Sequence, residues 1–234
     1  VPEAKKKLKW SLIFVVCTTV IALVAAGVYL GVRKSSYEST SNVLVAPLAT
    51  DNPNFQGVPL IRESSDGTRP VQTATGLLAT PAVASLTATG LKRGWTEAKV
   101  ENAIQVQPRG ESDIVAITAQ TESPSEAAEV ANRYAAAALK LRRQAIEPGL
   151  DREIQILNGQ AGNSESIKRL RTAQVYGDPT LAIASYAQPP TSSSSPSTKL
   201  ILLVALIVGL LVGLGGSLVM TVINGSPPSA PPRR

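Results

Sequence analysis

Two pairs of carboxylates have the residue types and spacing for glycoside chemistry: Glu111 with Asp113, and Asp151 with Glu153. Such pairs act on sugars when one acid protonates the leaving oxygen and the other works from the opposite face. Glu111, however, falls in a Pro-Arg-Gly turn ahead of a strand pattern. Asp151 and Glu153 stand two apart on a helical pattern and diverge. A second chemistry is open to Arg133, Lys140, Arg142 and Arg143, whose cations could meet an anionic glycan or a lipid-linked phosphate. The same residues also read as a solvated helix face balanced by Glu126, Glu129 and Glu147. Lys168, Arg169 and Arg171 carry the same two readings. The chain has no histidine and one cysteine, Cys17, which removes His-based triads, His/Cys zinc sites and intrachain disulfides. Gly209–Gly216 is not a phosphate loop, because no Lys-Ser/Thr follows it. No catalytic, metal or cofactor site is expected, and the chain reads as a non-enzyme.

The elements that must position these residues begin with two apolar runs. Across 234 residues the mean hydropathy is +0.09 although only 17% are charged, so apolar residues are concentrated locally. Trp10–Leu30 (WSLIFVVCTTVIALVAAGVYL) and Leu200–Ile223 (LILLVALIVGLLVGLGGSLVMTVI) carry no charge. Each is long enough as a helix to cross a hydrocarbon core of ~30 Å. The alternatives are a buried core helix for either and a cleaved signal peptide for the first; the first run exceeds the usual ~7–15-residue apolar region of a signal peptide. Gly209 and Gly213 form a small-xxx-small pattern that lets helix backbones approach closely. The chain begins at Val1 rather than Met, so the expected native start lies upstream or has been processed.

The flanks orient the runs. Lys5, Lys6, Lys7 and Lys9 precede the first as a basic anchor, and Arg233 and Arg234 follow the second. The positive-inside rule places both termini in the cytoplasm. Most of the net charge of +6 is therefore a topology signal and not a nucleic-acid footprint. The expected organisation is a cytoplasmic flank at 1–9, a transmembrane helix at 10–30, an extracytoplasmic domain at 31–199, a second transmembrane helix at 200–223 and a cytoplasmic tail at 224–234. Asn224-Gly-Ser matches a glycosylation sequon on the cytoplasmic side.

The central domain reads as α+β. Tyr37–Pro47 is a strand, and Asp51–Arg69, with its Pro and Gly residues, a loop. Thr73–Ser85 is helical with Pro81 interrupting or restarting it. Thr96–Ala103 is a helix capped by Thr96, followed by a strand at Ile104–Gln107. Asp113–Gln120 (DIVAITAQ) is the clearest strand, apolar or small on both alternating sets, which predicts a central strand covered on both faces. Ser123, Pro124 and Glu126 spell a capping box for an Ala-rich helix through Glu147, which Pro148-Gly149 breaks or bends. Leu150–Asn158 and Ser164–Val175 follow as helical pieces, with Ile154 and Leu157 expected against Ile167 and Leu170. Leu181–Ala187 is a last strand. Pro189, Pro190 and Pro196 mark a membrane-proximal segment, PPTSSSSPSTK, stiff and then flexible, that leads into the second apolar run.

This order resembles the Wzz-type chain-length determinants, or polysaccharide co-polymerases, including those that modulate bacterial tyrosine kinases. A span followed by a strand ending VLVAP carries the resemblance, with LLATPAV…GLKRG…IQVQPRGESDIVAITAQTESPSEAAEVANRYA and a Pro-rich approach to a small-residue-rich second span. It covers nearly the whole chain, and its motifs are packing signatures. It implies a homo-oligomer in the bacterial cytoplasmic (inner) membrane that regulates the chain length, polymerisation or export of a capsular, O-antigen or exopolysaccharide chain. The implied partners are a Wzy-like polymerase and the growing glycan. The alternative it implies is a transmembrane activator of a separate cytoplasmic tyrosine kinase. The sequence departs from the family in a short helical arm, broken by Pro148 and Gly159. The segment NGSPPSAPPRR carries neither a kinase motif nor a tyrosine cluster.

Overall fold

The computed structural model describes residues 2–92, 94–159 and 162–223; in the first and last helices, side chains are described from Ile13 to Gly216 and at Val219. The side chains of Lys5, Lys6, Lys7 and Lys9, and the whole of 224–234 with the Asn224 sequon, lie outside the described residues. The chain divides into two compact units. One joins the two terminal segments, and the other is Ser35–Ser194.

The first unit holds α1 (Pro2–Val32) and α7 (Thr198–Ile223). Ile13–Val32 and Thr198–Gly216 are long and apolar enough to cross a membrane. Their aliphatic side chains point outward, with Ile21 and Leu211 about two-thirds exposed at 66% and 65%. The core helix of a water-soluble fold would bury such residues. The helices run antiparallel, since Gly209, Gly213 and Gly216 lie beside Thr19, Val15 and Phe14 in turn. A Cβ at Gly209 would stand 2.8 Å from Thr19 Cα, and one at Gly213 would stand 2.9 Å from Val15 Cα. The glycines thus bring backbone against backbone. Thr18 donates its hydroxyl to Val15 O at 2.9 Å and reaches Gly209 O at 3.4 Å.

The second unit is an α+β domain. Its strands are β1 (Tyr37–Val45), β2 (Ile104–Pro108), β3 (Ile114–Thr121) and β4 (Leu181–Ser185), in the order β2-β3-β1-β4, all neighbours antiparallel. Tyr37 pairs with Thr121 and Leu44 with Ile114, which sets the register of the two inner strands. Its helices are α2 (Arg69–Leu78), α3 (Pro81–Gly90), α4 (Glu97–Ala103), α5 (Pro124–Asn158) and α6 (Ser164–Tyr176). Pro81 opens α3 just after Leu78 closes α2, because its fixed φ suits a helix start and its missing N–H cannot continue one. Thr96 caps α4 by accepting from Lys99 N at 3.3 Å.

Among the described residues the sheet is covered on one face only, where the alternation in β3 predicts cover on two. Val43, Val45, Val115, Ile117 and Ala119 are buried beneath α5, while Leu44 on the opposite face is 41% exposed. Thr40 and Thr118 share a hydroxyl hydrogen bond of 2.8 Å on that second face. Small and hydroxylated side chains tolerate partial solvation, so a mostly apolar strand does not require a second layer.

The helix α5 also departs from expectation. It runs 35 residues without ending at Pro148. Pro148 and Gln144 share an exposed face, so water can satisfy the Gln144 carbonyl that the missing N–H abandons. Gly149 instead faces inward as a docking notch: a Cβ there would meet Pro59 Cδ at 3.3 Å and Gly57 O at 3.5 Å. The loop across 49–62 is consequently part of the core. Phe55, Val58 and Leu60 pack with Ile146, Leu150, Leu170 and Ala173, and Ile154 and Leu157 join them. The result is a helical arm, α5 doubling back through α6, pinned by Gln174 Nε2 donating to Asp151 Oδ1 at 2.6 Å.

The Pro/Ser segment after β4 is tied down through residue 194 instead of hanging free. Asn132 brackets Ala187, accepting from its N–H at 2.8 Å and donating to its carbonyl at 3.0 Å. Ser39 donates to Gln188 O at 2.6 Å, and the Ser194 N–H donates to Ser36 O at 2.8 Å. Ser36 and Ser39 stand at the start of β1, so these bonds hold the exit of the domain beside its entry.

Candidate functional site

The start of α5 lines a cleft of about 290 Å³ with Leu91, Lys92 and Trp95. Ser123, Ser125, Glu126 and Glu129 form its helical wall. The capping box expected there is not made. Ser123 Oγ pairs with Ser125 Oγ at 3.2 Å, and its side chain caps no N–H of the helix. The Glu126 carboxylate accepts the Trp95 indole N–H at 3.1 Å. A tertiary donor thus replaces the local one, because an indole N–H at a half-buried position needs a partner. Trp95 packs against both core clusters beneath α5 while Lys99 holds its ammonium 4.4 Å over the ring. Glu129 is paired with Arg133 at 2.9 Å.

The four cations Arg133, Lys140, Arg142 and Arg143 do not form one face. Arg133, Lys140 and Arg143 are exposed, but Arg142 is 9% exposed and turned inward. Its Nε donates to Asp178 Oδ2 at 2.8 Å, and its Nη2 donates to Pro59 O. Asp178 also accepts from Thr180 N at 2.8 Å and from Thr180 Oγ1 at 2.5 Å, so the buried carboxylate is fully engaged. A guanidinium with all this to bind has no reason to face a soluble ligand. Among the exposed residues, Lys168, Arg169 and Arg171 lie on α6, and Arg169 stands 3.6 Å from Glu165.

The carboxylate pairs do not converge. Glu111 and Asp113 are exposed in the β2–β3 turn, where Gly110 takes φ 61. Asp151 faces Gln174 on α6, whereas Glu153 lies against Gly57 of the 49–62 loop. A second crevice of about 310 Å³ lies between Thr80, Pro81, Glu101, Ile104 and Tyr134. Burial, with the Glu101 carboxylate adding to it, pushes the Tyr134 hydroxyl up to about 12. That hydroxyl donates to Leu78 O at 3.1 Å, at the end of α2. Pro189 is exposed and Pro190 half-buried in the tied segment; Pro196 is exposed, and its carbonyl accepts from Arg33 Nη1 at 3.2 Å.

The role of Trp95 was not evident from sequence reasoning. Its signal was available: it is one of two tryptophans, the other lies in an apolar run, and Gly94 and charged residues flank it.

No protein-family model and no curated protein sequence matches the chain. Among solved structures, the chain matches a full-length bacterial polysaccharide co-polymerase with a TM-score of 0.50 and 11% identity, over 98% of this chain and 100% of that one. The chain therefore has the polysaccharide co-polymerase fold: an α+β domain with an antiparallel sheet, preceded and followed in the chain by two apolar helices that pack on each other.

Proposed function

We propose that this chain is a non-enzymatic membrane protein that regulates the chain length, polymerisation or export of a bacterial cell-surface polysaccharide. The observation that carries the reading is the end-to-end correspondence of fold, which includes both apolar helices as well as the central domain. In this reading α1 and α7 anchor the chain in the cytoplasmic membrane, with residues 31–199 outside and Lys5, Lys6, Lys7 and Lys9 against anionic headgroups inside. The protein works as a homo-oligomeric scaffold beside a Wzy-like polymerase and the growing glycan. Gly209 and Gly213 set the helix packing within each subunit, and the segment with Pro189, Pro190 and Pro196 links the domain to the second membrane helix. Of the exposed cations, Lys140 and Arg143 would meet glycan or lipid phosphate, while Arg133 is held by Glu129.

Deleting the gene and sizing the surface polysaccharide by gel electrophoresis tests this. A shifted modal length or a reduced yield, restored by the intact gene, is the expected result. An unchanged amount and length profile overturns the reading.

A further inference from the structure

We infer that the Pro/Ser/Thr segment after β4 is a site of covalent modification, with the hydroxyls of Thr191, Ser192 and Ser194 as acceptors of O-linked sugar. The inference rests on the topology proposed above, in which residues 31–199 lie outside the cytoplasm.

Composition marks the segment first. Every residue from Pro189 to Thr198 is Pro, Ser or Thr, and the next charge is Lys199. A tract of this kind builds no core, and serine and threonine mixed with proline is the composition of O-glycosylated stalks.

The structure then sorts the hydroxyls. Ser193 Oγ donates to Ser36 O at 2.9 Å, and Ser197 Oγ accepts from Leu200 N at 3.3 Å at the start of α7. These two hold the chain in place. Thr191, Ser192 and Ser194 are exposed, and among the described residues no hydrogen bond engages their hydroxyls. Ser194 is anchored by its backbone, whose N–H donates to Ser36 O at 2.8 Å, so its side chain is left out of the tie. Residues 189–197 lie in neither helix nor strand. Proline keeps such a stretch extended, a shape that an enzyme can take up without unfolding the domain.

The compartment decides the class of modification. Outside the cytoplasm no ATP serves a kinase, and a charged nucleotide sugar does not cross a bilayer. The donor class is a sugar carried on a polyprenyl phosphate. In the transfer the hydroxyl oxygen bonds to the anomeric carbon, and the bond from that carbon to the phosphate oxygen breaks. The hydroxyl proton passes to a base of the transferring enzyme, and polyprenyl phosphate leaves. The three acceptors precede Thr198 by seven residues or fewer, so they lie close in sequence to the helix that the proposed topology places in the bilayer. An exposed stretch without secondary structure is also where proteases nick a chain, and attached sugar shields it.

The test compares the full chain with a variant carrying Thr191→Ala, Ser192→Ala and Ser194→Ala, both purified in detergent from membranes of the native host. Each is weighed intact by mass spectrometry. The native chain should form a ladder that rises above the variant by whole hexose or N-acetylhexosamine units. Electron-transfer fragmentation, which keeps the glycosidic bond, should place the sugar on the three named residues. Ser193→Ala and Ser197→Ala should keep the ladder. Equal masses after allowing for the substitutions, sugar confined to other residues, or phosphate in place of sugar each overturns the assignment. An unmodified chain with an altered glycan profile in the deletion strain removes the modification and leaves the proposed function standing. Sugar on these residues with an unaltered profile removes that function and leaves the segment modified outside the cytoplasm.

Discussion

Arg142 of α5 and Asp178, just beyond α6, form a buried ion pair at 2.8 Å, with Pro59 O taking a further hydrogen bond from the same guanidinium. Three separate stretches of chain thereby meet at one cation. Gly177, at φ 94, makes the turn that carries Asp178 under α5, a conformation that favours glycine.

Replacing Arg142 by Ala strands the Asp178 carboxylate in the interior. The expected cost is roughly 3–5 kcal/mol, the range for breaking one side of a buried pair. Arg133→Ala and Lys140→Ala, on the exposed face, should stay within about 0.5 kcal/mol. Chemical denaturation of the detergent-solubilised chain, followed by circular dichroism, checks the contrast. Equal losses at all three positions would show that the inward turn of Arg142 has no energetic weight.

The Tyr134 hydroxyl gives a pH dependence of known sign. Its folded value of about 12 exceeds the ~10 of an unfolded tyrosine, so the folded state binds the proton more tightly. Stability is therefore full below about pH 10 and falls between about pH 10 and 12, by roughly 2–3 kcal/mol. Tyr134→Phe should lose about 1 kcal/mol at neutral pH through the missing bond to Leu78 O and flatten the alkaline limb. Unfolding midpoints measured from pH 8 to 12 in both chains decide it.

Alanine at Gly209 or Gly213 places a methyl group less than 3 Å from backbone atoms of α1. The expected penalty is about 1–3 kcal/mol of overpacking, read as a lowered melting temperature in detergent. Gly215→Ala meets nothing within 4 Å and should be silent. If all three substitutions behave alike, the close approach of α1 and α7 is not what those glycines serve.

Pro148→Ala should leave the fold intact and be neutral or mildly stabilising. It restores the N–H that the Gln144 carbonyl lacks, on a face already exposed. Gly149→Val, one residue on, should cost at least about 1 kcal/mol by pushing the loop at Gly57–Pro59 off the helix. Thermal unfolding of the two variants separates a tolerated proline from a required glycine.

Topology is testable with one thiol. In a Cys17→Ser background, cysteine at Ser192 should react with an impermeant maleimide added to intact cells stripped of any outer barrier. Reaction only after lysis would reverse the orientation derived from the lysine flank.

What the sequence by itself determined is what short-range physics encodes. Two uncharged runs long enough for a bilayer, the alternation of Ile114–Thr121, the Thr96 cap and the Pro81 restart are each legible within a few residues. They depend on hydrogen bonds to near neighbours and on side-chain periods of 2 or 3.6. The order of these elements was also enough to suggest the fold. The sequence left undecided which of two competing partners a polar group would take. Glu126 had a local option in the cap of its own helix and took Trp95, 31 residues away. Arg142 had solvent, and took Asp178 across 36 residues and Pro59 across 83. Pro148 had the chemistry of a helix breaker, yet the packing of Ile146 and Leu150 on the 49–62 loop carries α5 past it. In each case the deciding term is burial against a distant segment, which exists only once the chain has closed on itself. The cleft beside Trp95 belongs to the same class, since its walls come from residues that no local pattern connects.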